Sequence, residues 1–298
     1  MTGLVLMYHR VAALASDPYG LAVHPDRFAQ HVEVLEGLAS VVPLSEVVGP
    51  GRAPRVALTF DDGYVDNVTV AAPLLTAAQL PATYFITTGR LGGQPFWWDR
   101  LAEALLHAAP PPGLDVHVAG RDLWLSLDSE QDRRSSLLFL HRRLRPLPPD
   151  ELAAAVEGLL AQVGVGQGAR EDASMTRAQL VELSHQPGVS IGGHTRTHLQ
   201  LAGQRERLQR EEVVGSVEDL RGLLDVPIEQ FAFPFGSPSA VGELAPSLAR
   251  ESGCALACTT DHGVVRDSSS PWQLPRVNVL DWTGQELADV IRHEWGTP

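Results

Sequence analysis

Short apolar runs alternate with longer stretches of helical spacing along most of this chain. Leu4 to Met7 reads as a buried strand ending at Tyr8-His9-Arg10. An amphipathic helix is expected from about Asp26 to Leu38, with Phe28, Val32, Leu35 and Leu38 on one stripe. Val41-Val42, Arg55 to Phe60 and Pro81 to Thr87 read as strands, and Val65 to Gln79 has helical spacing. Later, strands are expected at Val189–Gly192, Phe231–Phe233, Leu256–Thr259 and Arg276–Val279. Between and after them helices are expected at Thr176–Ser184, Arg205–Leu224, Ala240–Ser252 and Gly284–Trp295. Strand–helix–strand alternation of this kind indicates an α/β fold with parallel strands.

The rhythm breaks between about residues 91 and 173. Phe96-Trp97-Trp98-Asp99 leads into helical spacing that Pro110-Pro111-Pro112 closes, a short strand pair follows around Val116 and Leu123-Trp124-Leu125, and helices are expected at Glu130–Leu144 and Pro149–Gln162. The glycine-rich Gly164-Val165-Gly166-Gln167-Gly168 ends the block, which reads as a mainly helical insertion into a single domain spanning residues 1–298. Trp97 and Trp98 offer faces that suit a pyranose ring, and anchoring the insertion to the main sheet is the simpler use of them.

Composition narrows the partners. Thirty-six acidic against 23 basic residues give a net charge of -13. That balance disfavours nucleic acid or an anionic membrane as the main partner, since both reward basic patches. No apolar run approaches the roughly 20 residues a membrane-spanning helix needs, and the N-terminus lacks a leader pattern, so the chain as given is expected to be cytoplasmic. The two cysteines, Cys254 and Cys258, are expected to act as small buried apolar residues on one face of a strand rather than as a disulfide or a metal pair.

Nearly every chemistry-bearing residue falls just past the C-terminal end of a strand, the face that carries the active site in parallel α/β barrels. The Leu58-Thr59-Phe60 strand ends in adjacent acids, Asp61 and Asp62. Such a pair repels itself unless a cation intervenes or one member holds a proton. His194 and His198 follow another apolar run, four residues apart, a spacing that puts two imidazoles on one side of a helical turn. Two histidines and one aspartate make a metal site with open positions, suited to Zn2+ or another late divalent ion. One aspartate would bind the ion and the other would take a proton from water, which is hydrolytic chemistry at a carbonyl. Pro234-Phe235-Gly236 forms a rigid turn whose Phe235 N–H is expected to point inward, toward a developing oxyanion.

Thr59-Phe60-Asp61-Asp62-Gly63, His194-Thr195-Arg196-Thr197-His198 and Phe233-Pro234-Phe235-Gly236 resemble, in order, the first three signature motifs of the polysaccharide deacetylase family, carbohydrate esterase family 4 (NodB homology). The resemblance implies a distorted (β/α) barrel and metal-dependent removal of N-acetyl, sometimes O-acetyl, groups from sugars. It further implies Asp61 as general base, Asp62, His194 and His198 as ligands of Zn2+ (or Co2+, Ni2+ or Mn2+), and the Phe235 N–H at the oxyanion. Tyr64, Pro234 and Gly236 would then touch the acetylated glycan. Many members carry an arginine three residues before the aromatic of the third motif, where it braces the base; this chain has Ala232 there. Arg276, opening the last strand, is expected to supply that guanidinium instead. The fourth motif is not evident and Ile291-Arg292-His293 is a poor echo of the fifth, so the general acid stays open among His9, His262 and His293. De-O-acetylation, another amidase activity and a non-catalytic glycan-binding role are the alternative readings.

Overall fold

In the computed structural model, residues 2–38, 40–47, 55–93, 95–107, 109–118, 121–164 and 174–295 are described. They divide into two compact units, one of residues 1–92 with 174–298 and one of residues 93–173. The first unit is a closed barrel of seven parallel strands: β1 (Thr2–Tyr8), β2 (Arg55–Phe60), β3 (Ala82–Ile86), β4 (Val189–Gly193), β5 (Gln230–Ala232), β6 (Leu256–His262) and β7 (Leu274–Asn278). Their order around the barrel is their order in the chain, and β7 pairs back onto β1. The β1–β2 register is continuous from Gly3 opposite Arg55 to Tyr8 opposite Phe60, which brings the C-terminal ends of both strands level. Two short strands flank the ring, Ser40–Val41 parallel to β2 and Val265–Arg266 antiparallel to β1.

The period-two alternation of the strands separates two apolar layers. Leu4, Leu6, Tyr8, Val56, Leu58, Phe60, Tyr84, Phe231 and Ala257 face outward into the layer shared with the helices. Val5, Ala57, Phe85, Ala232, Cys258 and Leu274 alternate with them and form a separate cluster inside the barrel. Interior residues run small where polar groups must also fit: Thr83 hydroxyl donates to Gln230 Oε1 at 3.0 Å and Thr59 hydroxyl to the Leu6 carbonyl at 2.9 Å. Cys254 and Cys258 are both buried free thiols, as expected, but they do not share a face. Cys254 precedes β6 and joins the outer layer, while Cys258 points into the barrel.

The surrounding helices are α1 (Pro25–Leu38), α2 (Ala72–Ala77), α3 (Arg177–Ser184), α4 (Glu206–Leu223), α5 (Ala245–Glu251) and α6 (Gly284–Glu294). Thr176 and Thr283 open α3 and α6 with reciprocal capping boxes to Gln179 and Glu286. The stretch expected as one helix from Ala240 to Ser252 is two, because Gly242 at φ 74° breaks it after Val241. No helix among the described residues is long and apolar enough to cross a membrane.

The 93–173 unit holds a helix at Trp97–Ala102, an antiparallel hairpin of Gly113–Val118 and Arg121–Ser126, and helices at Glu130–Leu144 and Pro149–Val163. Leu137, Leu140, Leu144, Val156 and Leu160 are buried in it. Trp97 and Trp98 do not present faces to solvent. They are 4% and 3% exposed, Trp97 stacked on His141 and Trp98 on Phe96. Their burial removes them as sugar platforms. The glycine-rich stretch after Gly164 lies outside the described residues.

Candidate active site

Three loops leave the C-terminal ends of β2, β4 and β5 and meet, and each bends through backbone conformations that L-residues rarely adopt. Of the five described non-glycine residues with positive φ, four lie here: Asp62, Thr195, His198 and Phe235. Such conformations cost of order 1–3 kcal/mol each and persist only where the surroundings over-determine them. The strain is concentrated where the chemistry-bearing side chains are.

The segment from His194 to His198 is not the helical turn that its spacing suggested. Positive φ at Thr195 and His198 makes it an irregular loop, and the two imidazoles converge through that curl, with ring centroids 5.0 Å apart. The buried carboxylate of Glu212, on α4, shapes the loop. It accepts the backbone N–H groups of Arg196 (2.9 Å) and Thr197 (2.8 Å) on Oε2 and the Thr197 hydroxyl on Oε1 (2.8 Å). From the other side the Gly89 N–H donates to the Arg196 carbonyl at 2.8 Å, and a Cβ at position 89 would lie 2.5 Å from that oxygen. Glycine is required there by the close approach. Arg196 turns away and pairs in a two-pronged contact with Asp219, which also accepts from Thr88.

His194 Nδ1 donates to the Ala232 carbonyl at 2.7 Å, which turns Nε2 toward Asp62. Asp62 Oδ1 lies 3.4 Å from His194 Nε2 and 3.2 Å from His198 Nε2. One ligand atom from each of the three residues falls within 4.8 Å of the others, and all three side chains are buried. Asp62 Oδ1 is buried without a hydrogen bond, an acceptor that needs a partner the protein does not provide. Burial works against charge on Asp62, and the His198 and His194 imidazoles outweigh it, holding the carboxyl far below the usual range. Burial also holds His198 below the ordinary imidazole value, which favours its neutral, ligating form. A two-nitrogen, one-oxygen donor set with open positions fits a divalent cation of the Zn2+ type.

Asp61 faces the barrel interior instead. Its two oxygens receive Arg276 Nη1 and Nη2, each at 2.7 Å, and Arg276 is 0% exposed. The guanidinium is itself anchored, Nε to the Thr259 carbonyl at 2.8 Å and Nη1 to the Thr59 hydroxyl at 3.2 Å. Burial alone would raise the Asp61 carboxyl; Arg276 and His194 reverse that and hold it below its ordinary value. Arg276 thus reaches Asp61 from β7, two strands round the barrel from Ala232 on β5, the position that lacks the arginine.

The third loop carries Pro234, buried, then Phe235 at φ 60° and Gly236 at φ 55°. The Phe235 ring meets His198 edge-on with centroids 4.7 Å apart, and the Phe235 carbonyl accepts the Thr260 hydroxyl and the Ser237 N–H. A Cβ at Gly236 would lie 2.3 Å from the Thr260 nitrogen, so the turn can follow the β6 backbone only with glycine. Tyr64 departs from expectation. It is fully buried, bridged to Ser174 and covered by the Arg10 guanidinium 4.4 Å from its ring centre, and so offers no surface to a substrate.

Of the three candidate acids, His9 directly follows β1 and is near enough to interact electrostatically with both Asp61 and Asp62. Its neighbourhood is fixed by a network that sequence spacing did not suggest. Asp66 takes the Val11 N–H at 2.9 Å and Arg10 Nε at 3.0 Å, and the Asn67 amide donates to the His9 carbonyl at 2.8 Å. His262 and His293 are exposed and lie against Glu294.

A sequence model described as Polysaccharide deacetylase matches residues 49–108, the span that delivers Asp61 and Asp62. Among solved structures the barrel is similar to a Streptococcus pyogenes deacetylase, PplD, in complex with acetate (20% identity, 97% of each chain, TM-score 0.62). It is also similar to IcaB from Ammonifex degensii (19% identity, 97% of this chain and 96% of that one, TM-score 0.62). A de-N-acetylase from Aggregatibacter actinomycetemcomitans matches at 14% identity over 95% and 97% of the chains, with a TM-score of 0.58. At these identities the likeness speaks for the shared barrel. No curated protein sequence is significantly similar to the chain.

Proposed function

We propose that this chain is a member of the polysaccharide deacetylase family and hydrolyses the acetamido group of N-acetylated amino sugars in a polysaccharide, oligosaccharide or glycolipid precursor, releasing acetate and a free amine. The observation that carries the reading is the contrast between neighbouring carboxylates. Asp62 has an unsatisfied oxygen facing two imidazoles, and Asp61 is locked by Arg276 beside it. Two acids with separated environments can take separate roles.

Asp62, His194 and His198 would hold a divalent cation, Zn2+ by donor type, which supplies Lewis acidity toward water and the acetyl carbonyl. Asp61 accepts the proton of the attacking water as the new C–O bond forms. Its carboxylate is available at neutral pH because Arg276 and His194 outweigh burial. The Phe235 N–H donates to the oxyanion, its direction set by the left-handed Phe235-Gly236 turn. Pro234 and Gly236 hold that turn rather than bind sugar directly. His9 donates a proton to the leaving nitrogen as the C–N bond breaks, and the Asn67 contact to its carbonyl fixes its backbone. Acetate then carries the oxygen from water, and the sugar leaves as an amine.

Acetate release from N-acetylglucosamine oligomers, followed by mass spectrometry of the sugar, tests the reading. A loss of 42 mass units per residue would be about the expected change for N-deacetylation, and it should vanish in Asp61→Asn. A folded, metal-loaded protein that acts on no acetylated sugar would contradict it.

A further inference from the structure

The hairpin of the 93–173 unit exposes Trp124, which at 61% accessibility is the most exposed of the large apolar side chains among the described residues. The ring lies against the facing strand. A Cβ at Gly113, on the facing strand, would lie 2.3 Å from Trp124 Cζ2 and 2.5 Å from Cε2, so the indole lies across the strand where no side chain intervenes. Its inner side covers the glycine, and its other side faces solvent. Asp115 stands directly opposite Trp124 in the register. The Gln162 side chain clamps the backbone there, accepting the Asp115 N–H at 3.1 Å and donating to the Asp115 carbonyl at 2.9 Å. On the same face His117 and Asp122 form an exposed pair, Nδ1 to Oδ1 at 2.7 Å.

We propose that this outer hairpin face, with Trp124 as platform and Asp115 and Asp122 as flanking carboxylates, is a second glycan site that takes free-amine sugar residues. The proposal rests on the deacetylase reading for the identity of its ligand. A glycan losing acetyl groups becomes a polycation, and an aromatic face beside carboxylates suits such a chain in two ways. The pyranose C–H face packs on the indole, and an ammonium is attracted to the ring and to the acids. Neutral N-acetylated residues gain only the first. A weak contact of this kind raises the local concentration of polymer around the whole enzyme, and its effect grows with chain length.

Calorimetric titration of the full chain tests this, using a glucosamine pentamer and an N-acetylglucosamine pentamer in an Asp61→Asn background that does not consume the second. The glucosamine pentamer should bind about fivefold more weakly to Trp124→Ala, the size of one exposed cation–π contact, while Trp124→Phe retains most of the affinity. Asp115→Asn and Asp122→Asn should weaken the glucosamine pentamer and leave the acetylated one unchanged. With Asp61 intact, Trp124→Ala should raise KM for a long, half-deacetylated polymer and leave the rate on an N-acetylated trimer as it was. Unchanged glucosamine binding in a folded Trp124→Ala protein overturns the site. Equal weakening of both pentamers by the aspartate variants overturns its preference for amines. A wild-type protein that binds glucosamine through Trp124 and releases no acetate would sink the deacetylase reading and keep the site; acetate release with Trp124-independent binding would do the reverse.

Discussion

Replacing Arg276 by alanine removes four hydrogen bonds, two of them to Asp61, and leaves that carboxylate 2% exposed with no guanidinium beside it. Breaking a buried ion pair from one side costs about 3–5 kcal/mol, because the surviving charge stays desolvated. Asp61 escapes most of that cost by taking a proton. With Arg276 present, its pKa is held below the ordinary value against the effect of burial; without Arg276, burial prevails and the value rises. At about 1.4 kcal/mol per pH unit, the acidic limb of the rate profile should move upward by roughly two units or more. The rate of acetate release should therefore fall most at the acidic end of the profile, by about tenfold for each unit the limb has moved past the assay pH, and recover toward neutral pH as Asp61 ionises again. Arg276→Lys should lie between, since one ammonium cannot meet both oxygens at once. The assay is acetate release from pH 5 to 9, with circular dichroism and metal content measured on each variant. An alanine variant that folds, holds metal and keeps both rate and profile would refute the assignment of Arg276 as the residue that keeps Asp61 ionised.

Other parts of the structure make independent predictions. Glu212→Ala removes the acceptor for three donors of the His194–His198 loop and should weaken divalent-metal affinity by about 10–100-fold, read by competition with a chromogenic chelator. His31 is buried, accepting from Tyr8 hydroxyl and donating from Nε2 to the Trp282 carbonyl, and burial lowers its pKa below the ordinary imidazole value of 6.5. The unfolded chain therefore binds a proton first as pH falls through 6.5, so thermal stability should drop from pH 7 toward pH 5, with a flatter slope in His31→Gln. Burial pushes the Cys258 thiol up to about 12, so it should resist alkylation at pH 8 in the native protein and react once guanidinium unfolds it.

Much of the barrel was legible in the order of apolar runs, because strands buried on both faces read as short uninterrupted segments, and three of these ended at chemistry-bearing residues. The resemblance implied a bracing arginine where this chain has Ala232, which led to the expectation of Arg276 in its place, and Arg276 lies against Asp61. What stayed hidden depends on tertiary contact. Glu212 lies next to Glu211 on a charged helix, and only the packing of α4 shows that one turns inward while the other faces water. The four-residue spacing of His194 and His198 suggested a helix, yet Glu212 and Gly89 impose a loop in which the same histidines meet by another route. Tyr64 and the Trp97-Trp98 pair carried the right chemistry for sugars, and their burial makes them packing residues instead.

Deacetylation is expected to depend on a divalent cation held by Asp62, His194 and His198. The direct measurement is titration of Zn2+ into chelator-stripped protein, with bound metal and acetate release followed on the same samples. Saturation is expected at about one ion per chain, with activity rising in step with occupancy and both lost in His198→Ala. Full acetate release from metal-free protein, or tight one-to-one binding that survives in His198→Ala, would contradict it.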